Sequence, residues 1–285
     1  MLGTLAANAP GHPDTRLAEA RSVSLVLGSG GARGLAHIGV IDALLARGFV
    51  IEAIAGTSMG AVIGGLHALG RLQVYRDWIV RQRQTDVIRL LDWSIGGGGM
   101  IRGERLMRQL GKLVGDSNIE DLPIPFSAVA VDIDRGREVW LSDGSLFQAI
   151  RASIAIPGLF TPHHYRGRTL VDGGVLNPVP IGPTLRTLTD CTIVVDLNAP
   201  PQNAGADTDS ADARAGAASG VTDILLRSLE TMQGALTRQH MAVFQPDLVI
   251  AVPRNCCMAH EFHRAEELIA LGRQLAEQQI DAALK

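Results

Sequence analysis

A serine stands at the centre of Gly56-Thr57-Ser58-Met59-Gly60, between an apolar run ending at Ala55 and a second one beginning at Ala61. A hydroxyl is a useful nucleophile only where a base can take its proton and its approach is uncrowded. Strand, sharp turn and helix in this order meet the second need. The turn lifts Oγ to the top of a sheet, and the flanking glycines leave room for neighbouring backbone. A helix starting at Met59 points its positive end at the serine. The same turn could instead be a plain helix cap, with the serine oxygen bonded to backbone N–H groups. Glycine makes up 32 of the 285 residues, so the pentapeptide does not decide between the two.

Upstream, Val23–Leu27 reads as a buried strand that runs into Gly28-Ser29-Gly30-Gly31-Ala32-Arg33-Gly34. Leu35, Ile38, Ile41, Leu44 and Leu45 then share one helical face. A glycine-rich loop before a helix presents bare N–H groups to an anion. One anion would be a dinucleotide's pyrophosphate, making the chain a nucleotide-binding oxidoreductase. Gly28-x-Gly30 opens such a fingerprint, but Arg33 occupies the third glycine's place and Gly34 comes one position late. Only Glu52 could be the ribose-binding acid. The other anion is the oxyanion of an ester's tetrahedral intermediate, received by the amides of Gly30 and Gly31; one such donor is worth about 3 kcal/mol of barrier. Consecutive βα turns of a parallel sheet lie at one edge, so this loop and the Ser58 turn are expected to face each other.

Asp172 closes the short β-type run Thr169–Val171 and precedes Gly173-Gly174. Alone, Asp-Gly reads as a hairpin turn. Together with Leu25-Val26-Leu27-Gly28-Ser29-Gly30-Gly31-Ala32-Arg33-Gly34-Leu35-Ala36-His37-Ile38-Gly39-Val40, with Ala55–Ala61 and with Ala152-Ser153-Ile154-Ala155-Ile156-Pro157-Gly158-Leu159-Phe160, it completes a set of ordered blocks. Those blocks resemble the patatin-like phospholipases, most closely the bacterial branch related to neuropathy target esterase. The likeness runs from residue 22 to residue 198.

The resemblance implies an α/β fold, a patatin-like three-layer α/β/α sandwich with a mostly parallel central sheet. It implies hydrolysis of acyl esters of phospholipids or lysophospholipids, with Ser58 as nucleophile and Asp172 as its partner in a Ser–Asp dyad. The oxyanion hole would be the loop, with Gly30, Gly31, Ala32 and Arg33. Where the family usually starts this loop with a glycine, Ser29 stands here. No metal or cofactor is implied. A carboxylate is a weak base, ordinarily with a pKa near about 3.9, so Asp172 would need burial to raise it. Arg33 is expected to brace the loop, because a buried guanidinium needs carbonyls or carboxylates around it. An acyl chain needs an apolar channel, and Met59, Leu159 and Phe160 are its expected wall. A Ser–His–Asp triad is the rival mechanism: His240, His260 and His263 follow Asp172, and His163 and His164 precede it. None sits in a recognisable triad motif, and His37 reads as packed on the first helix, so the dyad is preferred. A dormant scaffold binding acyl lipids or partner proteins is the remaining reading, disfavoured by an intact serine, aspartate and loop.

The elements that must position these groups alternate along the chain. Strands are expected at Val23–Leu27, Ile51–Ala55, Phe126–Asp132, Arg137–Leu141, Thr169–Val171, Thr192–Leu197 and Leu248–Val252. Helices are expected at Gly34–Arg47, Met59–Leu69, Gln73–Arg89, Gly103–Val114, Leu146–Ala152, Gly182–Thr187, Val221–Val243 and His260–Leu284. Residues 1–21, which lack the apolar core of a signal peptide, are expected to form a flexible tail, and 22–285 one domain. A mobile loop of small residues is expected at about 200–220. Trp93–Ile101, with Gly96–Gly99 inside it, could form an apolar entrance. A net charge of −3 without a basic cluster excludes a nucleic-acid footprint. It also predicts no strong attraction to anionic lipid, so membrane contact would be transient. Cys191, Cys256 and Cys257 give neither a disulfide framework nor metal spacing. That fits a cytoplasmic protein, peripheral at most at the inner membrane surface.

Overall fold

The computed structural model describes residues 21–89, 92, 101–201 and 220–284. The expected tail (1–20), most of the 200–220 loop and the 93–100 part of the apolar entrance lie outside the described residues. Eight strands form one sheet: β1 Ser22–Leu27, β2 Val50–Thr57, β3 Phe126–Asp132, β4 Arg137–Leu141, β5 His163–Tyr165, β6 Arg168–Asp172, β7 Cys191–Ala199 and β8 Leu248–Pro253. Their order is β5-β6-β3-β2-β1-β7-β8, with β4 also paired to β3. The pairs β3–β2, β2–β1, β1–β7 and β7–β8 are parallel; β3–β4, β3–β6 and β5–β6 are antiparallel. The fold is α/β with a mostly parallel sheet, as the motifs implied.

Alternation along the strands divides the core between two faces. Val23, Leu25 and Leu27 of β1 and Ile193, Val195 and Leu197 of β7 join the large core. It also takes in α1 Ala36–Ala46, α2 Met59–Ala68, α6 Leu146–Ser153 and α8 Ala265–Ala283. Val26 and Val194 point the other way, into a small core with Val179 and Ile181. Met241 of α7, Val221–Phe244, packs against it. The second layer is therefore thin, consisting of the 178–186 segment and α7.

Some elements differ from expectation. The helix proposed for Gln73–Arg89 is two, α3 Leu72–Ile79 and α4 Gln84–Arg89. Side chains satisfy the backbone at the break: Gln82 Nε2 donates to Trp78 O (2.9 Å) and Asp86 accepts the Arg83 amide (3.1 Å). A helix α5, Glu104–Val114, then precedes β3. The Gly182–Thr187 helix is a 3₁₀ turn, Gly182–Arg186, with Pro183 near its start. Strand β5 was missed because its hairpin turns at Arg166-Gly167, both at positive φ (52° and 69°), and Arg at such a site carries no turn signature.

Helices α1 and α8 touch backbone to backbone. A Cβ on Gly39 would lie 1.9 Å from Ile269 O, and one on Gly272 would lie 2.1 Å from Ala36 O. Gly272→Ala should therefore destabilise by about 1–3 kcal/mol, although alanine is the better helix former by about 1 kcal/mol. Urea unfolding should show a lower midpoint with an unchanged slope; a raised midpoint would mean the two helices can separate freely.

Candidate active site

Strand β2 delivers Ser58 to the carboxyl edge of the sheet at φ 56° and ψ −121°. A residue with a Cβ held there costs about 1–3 kcal/mol, so the surroundings must over-determine it. They do so with backbone. A Cβ on Gly60 would sit 2.0 Å from Leu27 O, and one on Gly56 2.3 Å from Gly60 O, so the start of α2 lies directly on the end of β1. The Ser58 amide donates to Ser153 Oγ at 2.9 Å. Ser58 O accepts from Ala61 N (2.9 Å) and Val62 N (3.1 Å). Its hydroxyl makes no capping bond, which removes the plain helix-cap reading of this serine.

Sheet register brings Asp172 to the same level. Thr57 pairs with Val129, and Asp172 pairs with the next residue of β3, Ala130. The two residues thus flank β3, about 10 Å apart at their Cα atoms from two strand spacings, within reach of facing side chains. Asp172 is no hairpin residue. It ends β6 and caps a 3₁₀ turn, Gly173–Val175, with Oδ1 accepting the Gly174 amide at 2.7 Å. Its Oδ2 is buried without a hydrogen-bond partner. The residue is 2 % exposed. Burial pushes its pKa up to about 6, against the opposing pull of the Ser58 hydroxyl and the Gly174 amide. The Ser58 hydroxyl is thus near enough to the carboxyl group to pull its pKa down, while Oδ2 keeps no hydrogen-bond partner. Hydroxyl–carboxylate contacts of this kind often tighten only when substrate arrives.

The loop after β1 adjoins both residues. A Cβ on Gly34 would meet Met59 Cβ at 2.3 Å. A Cβ on Gly174 would lie 3.0 Å from both Asp172 Oδ1 and Ser29 Oγ and 2.5 Å from Gln233 Nε2 of α7. Within the loop the amides divide. Gly28 N is bonded to Val195 O, Ser29 N to Pro178 O and Ala32 N to Ala259 O. No bond among the described residues uses the amides of Gly30 or Gly31. His37, fully buried and held neutral by burial with its pKa down to about 4, bonds Gly28 O through Nε2 at 2.9 Å.

Comparison with known proteins places the chain. Residues 25–185 match the family model for patatin-like phospholipase. The chain belongs to the patatin-like phospholipase family. It is 38% identical to an uncharacterized NTE family protein of Mycobacterium tuberculosis, over 96% of this chain and 95% of that protein. It is 33% identical to lysophospholipase nte1 of Emericella nidulans, over 64% of this chain and 12% of that protein. The crystal structure of VipD from Legionella pneumophila shares the fold, with a TM-score of 0.50, 13% identity and coverage of 93% of this chain and 67% of that one.

Other sequence-chosen residues of this patatin-like chain fall as follows. Arg33 is 4 % exposed; its guanidinium reaches Glu230 Oε1 of α7 (3.1 Å) and Arg254 O (3.3 Å), so it ties the loop to the C-terminal third. Met59 is buried against the loop at Gly34. Leu159 and Phe160 are tied to the 101–103 segment instead, through Ile101 N to Leu159 O and an Ile101–Phe160 bridge. Glu52 is the unpaired residue of a bulge near the start of β2, toward the opposite edge from the glycine loop, which removes the ribose-binding acid of the nucleotide reading. Among the described residues no histidine hydrogen-bonds Ser58 or Asp172; His163 bonds Gln148 Oε1. Unforeseen contributors are Ser153, Asn198 (Nδ2 to Ser29 O, 3.2 Å), Gln233, Glu230 and Ala259. Each is remote in sequence from what it holds, and only Ser153 lies in a block the sequence marked.

Because the folded pKa of Asp172 lies above the ordinary carboxylate value, the native state binds the proton more tightly than the unfolded chain. Its contribution to stability is present at low pH and is lost as pH rises through about 6. Asp172→Asn keeps the shape and removes the charge. At pH 8 it should stabilise the fold by up to about 2–3 kcal/mol, and the gain should vanish near pH 4. Chemical denaturation at both pH values measures this; an equal effect at both would contradict the raised pKa.

Proposed function

We propose that this protein is a serine esterase that cleaves acyl ester bonds of phospholipids or lysophospholipids through Ser58 and Asp172. The observation that carries the reading is a buried carboxylate with one unpartnered oxygen, facing a hydroxyl on a strained turn. A pKa raised to about 6 makes Asp172 a better base than an ordinary carboxylate while leaving it ionised at neutral pH.

In the first step Ser58 Oγ attacks the acyl carbonyl carbon and its proton passes to Asp172. The carbonyl oxygen takes the negative charge and accepts from the amides of Gly30 and Gly31, which no bond among the described residues uses. The Ala32 amide, engaged by Ala259 O, has no part in this. Asp172 then protonates the leaving alkoxide oxygen as the ester C–O bond breaks, leaving Ser58 acylated. Water next gives a proton to Asp172 as it attacks the acyl carbon. The fatty acid leaves, and the proton returns to Ser58. Arg33 contributes by bracing the loop, its charge engaged by Glu230 and Arg254 O.

The lipid substrate rests on family membership and on a relative named as a lysophospholipase. Met59, Leu159 and Phe160 are proposed for the acyl channel. No helix among the described residues is long and apolar enough to cross a membrane; contact with a lipid surface would be peripheral.

A fluorophosphonate probe should label Ser58, and fatty-acid release from a lysophospholipid should fall by at least about 10⁴-fold in Ser58→Ala. Asp172→Asn should lose about 10²–10⁴-fold. The kcat/KM profile of the intact protein should rise with pH through about 6, because the ionised carboxylate is the active form. No adduct at Ser58, or normal turnover in either variant, would refute the assignment.

A further inference from the structure

We propose that Ser153 is a positioning residue for this reaction: its hydroxyl, with the carbonyl of Ala155 two residues on, fixes Ser58 and Asp172 relative to each other. This rests on the esterase reading above. Ser153 ends α6 and is fully buried. Its single hydroxyl proton goes to Val129 O at 2.6 Å, which leaves a lone pair for the Ser58 amide at 2.9 Å. Two residues later, Ala155 O accepts the Asp172 amide at 3.0 Å. The segment 153–155 thus bonds the backbone of both reacting residues and the middle of the strand between them. It is itself anchored from the far side, because Arg151 Nε donates to Arg102 O (2.9 Å) and its Nη2 to Thr161 O (2.9 Å).

Without the Ser153 hydroxyl, the Ser58 amide becomes a buried donor with no acceptor, at the residue with the most strained backbone of the site. The peptide would rotate to find a partner, and Oγ would lose its aim at Asp172. The bond has a second consequence. It commits the amide of Ser58 to the scaffold and leaves the ester oxyanion to the glycine loop. Ser153 touches neither substrate nor the exchanged proton, so its loss should slow the chemistry and spare binding.

The test compares Ser153→Ala and Ser153→Thr with the intact protein, using lysophospholipid turnover, the rate of fluorophosphonate labelling at Ser58 and thermal melting. Misaligned reacting groups cost about 10²-fold, so Ser153→Ala should lower kcat and the labelling rate by about 10- to 100-fold with KM within about 2-fold. Ser153→Thr, which restores the hydroxyl, should recover most of the loss. The acidic limb of kcat/KM in Ser153→Ala should move above its position in the intact protein, because a misdirected Ser58 hydroxyl no longer holds the Asp172 pKa down. Simple loosening of the fold would leave that limb in place. If Ser153→Ala does not fold, the near-isosteric Ser153→Cys, with its weaker hydrogen bonds, carries the same expectations at reduced size. A folded Ser153→Ala or Ser153→Cys that labels at the native rate, or equal damage in Ala and Thr variants, overturns the positioning role. An intact protein that neither turns over nor labels overturns the esterase reading itself.

Discussion

The site depends on backbone lying against backbone where α2 leaves β2. Gly60 rests on the carbonyl of Leu27, closer than any side chain allows, and that contact sets where Ser58 stands and how far its φ departs from ordinary values. A strained serine is costly, and so is a carboxyl group enclosed beside it. Neither persists by its own interactions. Both are imposed by the large core on one face of the sheet, where α1, α2, α6 and α8 hold β1 and β2 in register.

Electrostatics at the site follow from where charges are withheld. Arg33 is the cation within the glycine loop, yet its guanidinium points to Glu230 and Arg254 O. Had it paired with Asp172, the carboxyl pKa would fall by the attraction of an opposite charge, and the aspartate would be a poorer base. Instead burial dominates, opposed only by a hydroxyl and an amide. The same arrangement leaves Gly30 and Gly31 with amides bonded to nothing among the described residues, beside two neighbours whose amides are engaged.

Much of this was legible in the chain. Ser58 and the loop were visible because a strand, a turn with glycines and a helix make a local pattern, and the parallel sheet then places both turns at one edge. The strands were visible because their apolar runs are short and bounded. Asp172 was ambiguous alone and gained its meaning from the order of blocks around it. What stayed hidden is non-local. Nothing in Glu230 or Gln233 marks them among the polar residues of a long helix, and Ala259 holds the loop through a backbone carbonyl that every residue possesses. The engagement of the Ala32 amide could not be foreseen for that reason. Strand β5 escaped because its turn relies on an arginine at positive φ.

The family match ends at residue 185, and by then the growing polypeptide already holds Ser58, Asp172 and the whole glycine loop. The props for that loop come later: Asn198, Glu230, Gln233, Arg254 and Ala259. During synthesis, then, Ser58, Asp172 and the loop emerge first, and the groups that brace the loop emerge last. The glycine loop gains these bonds only once the final third of the molecule has folded back across the sheet.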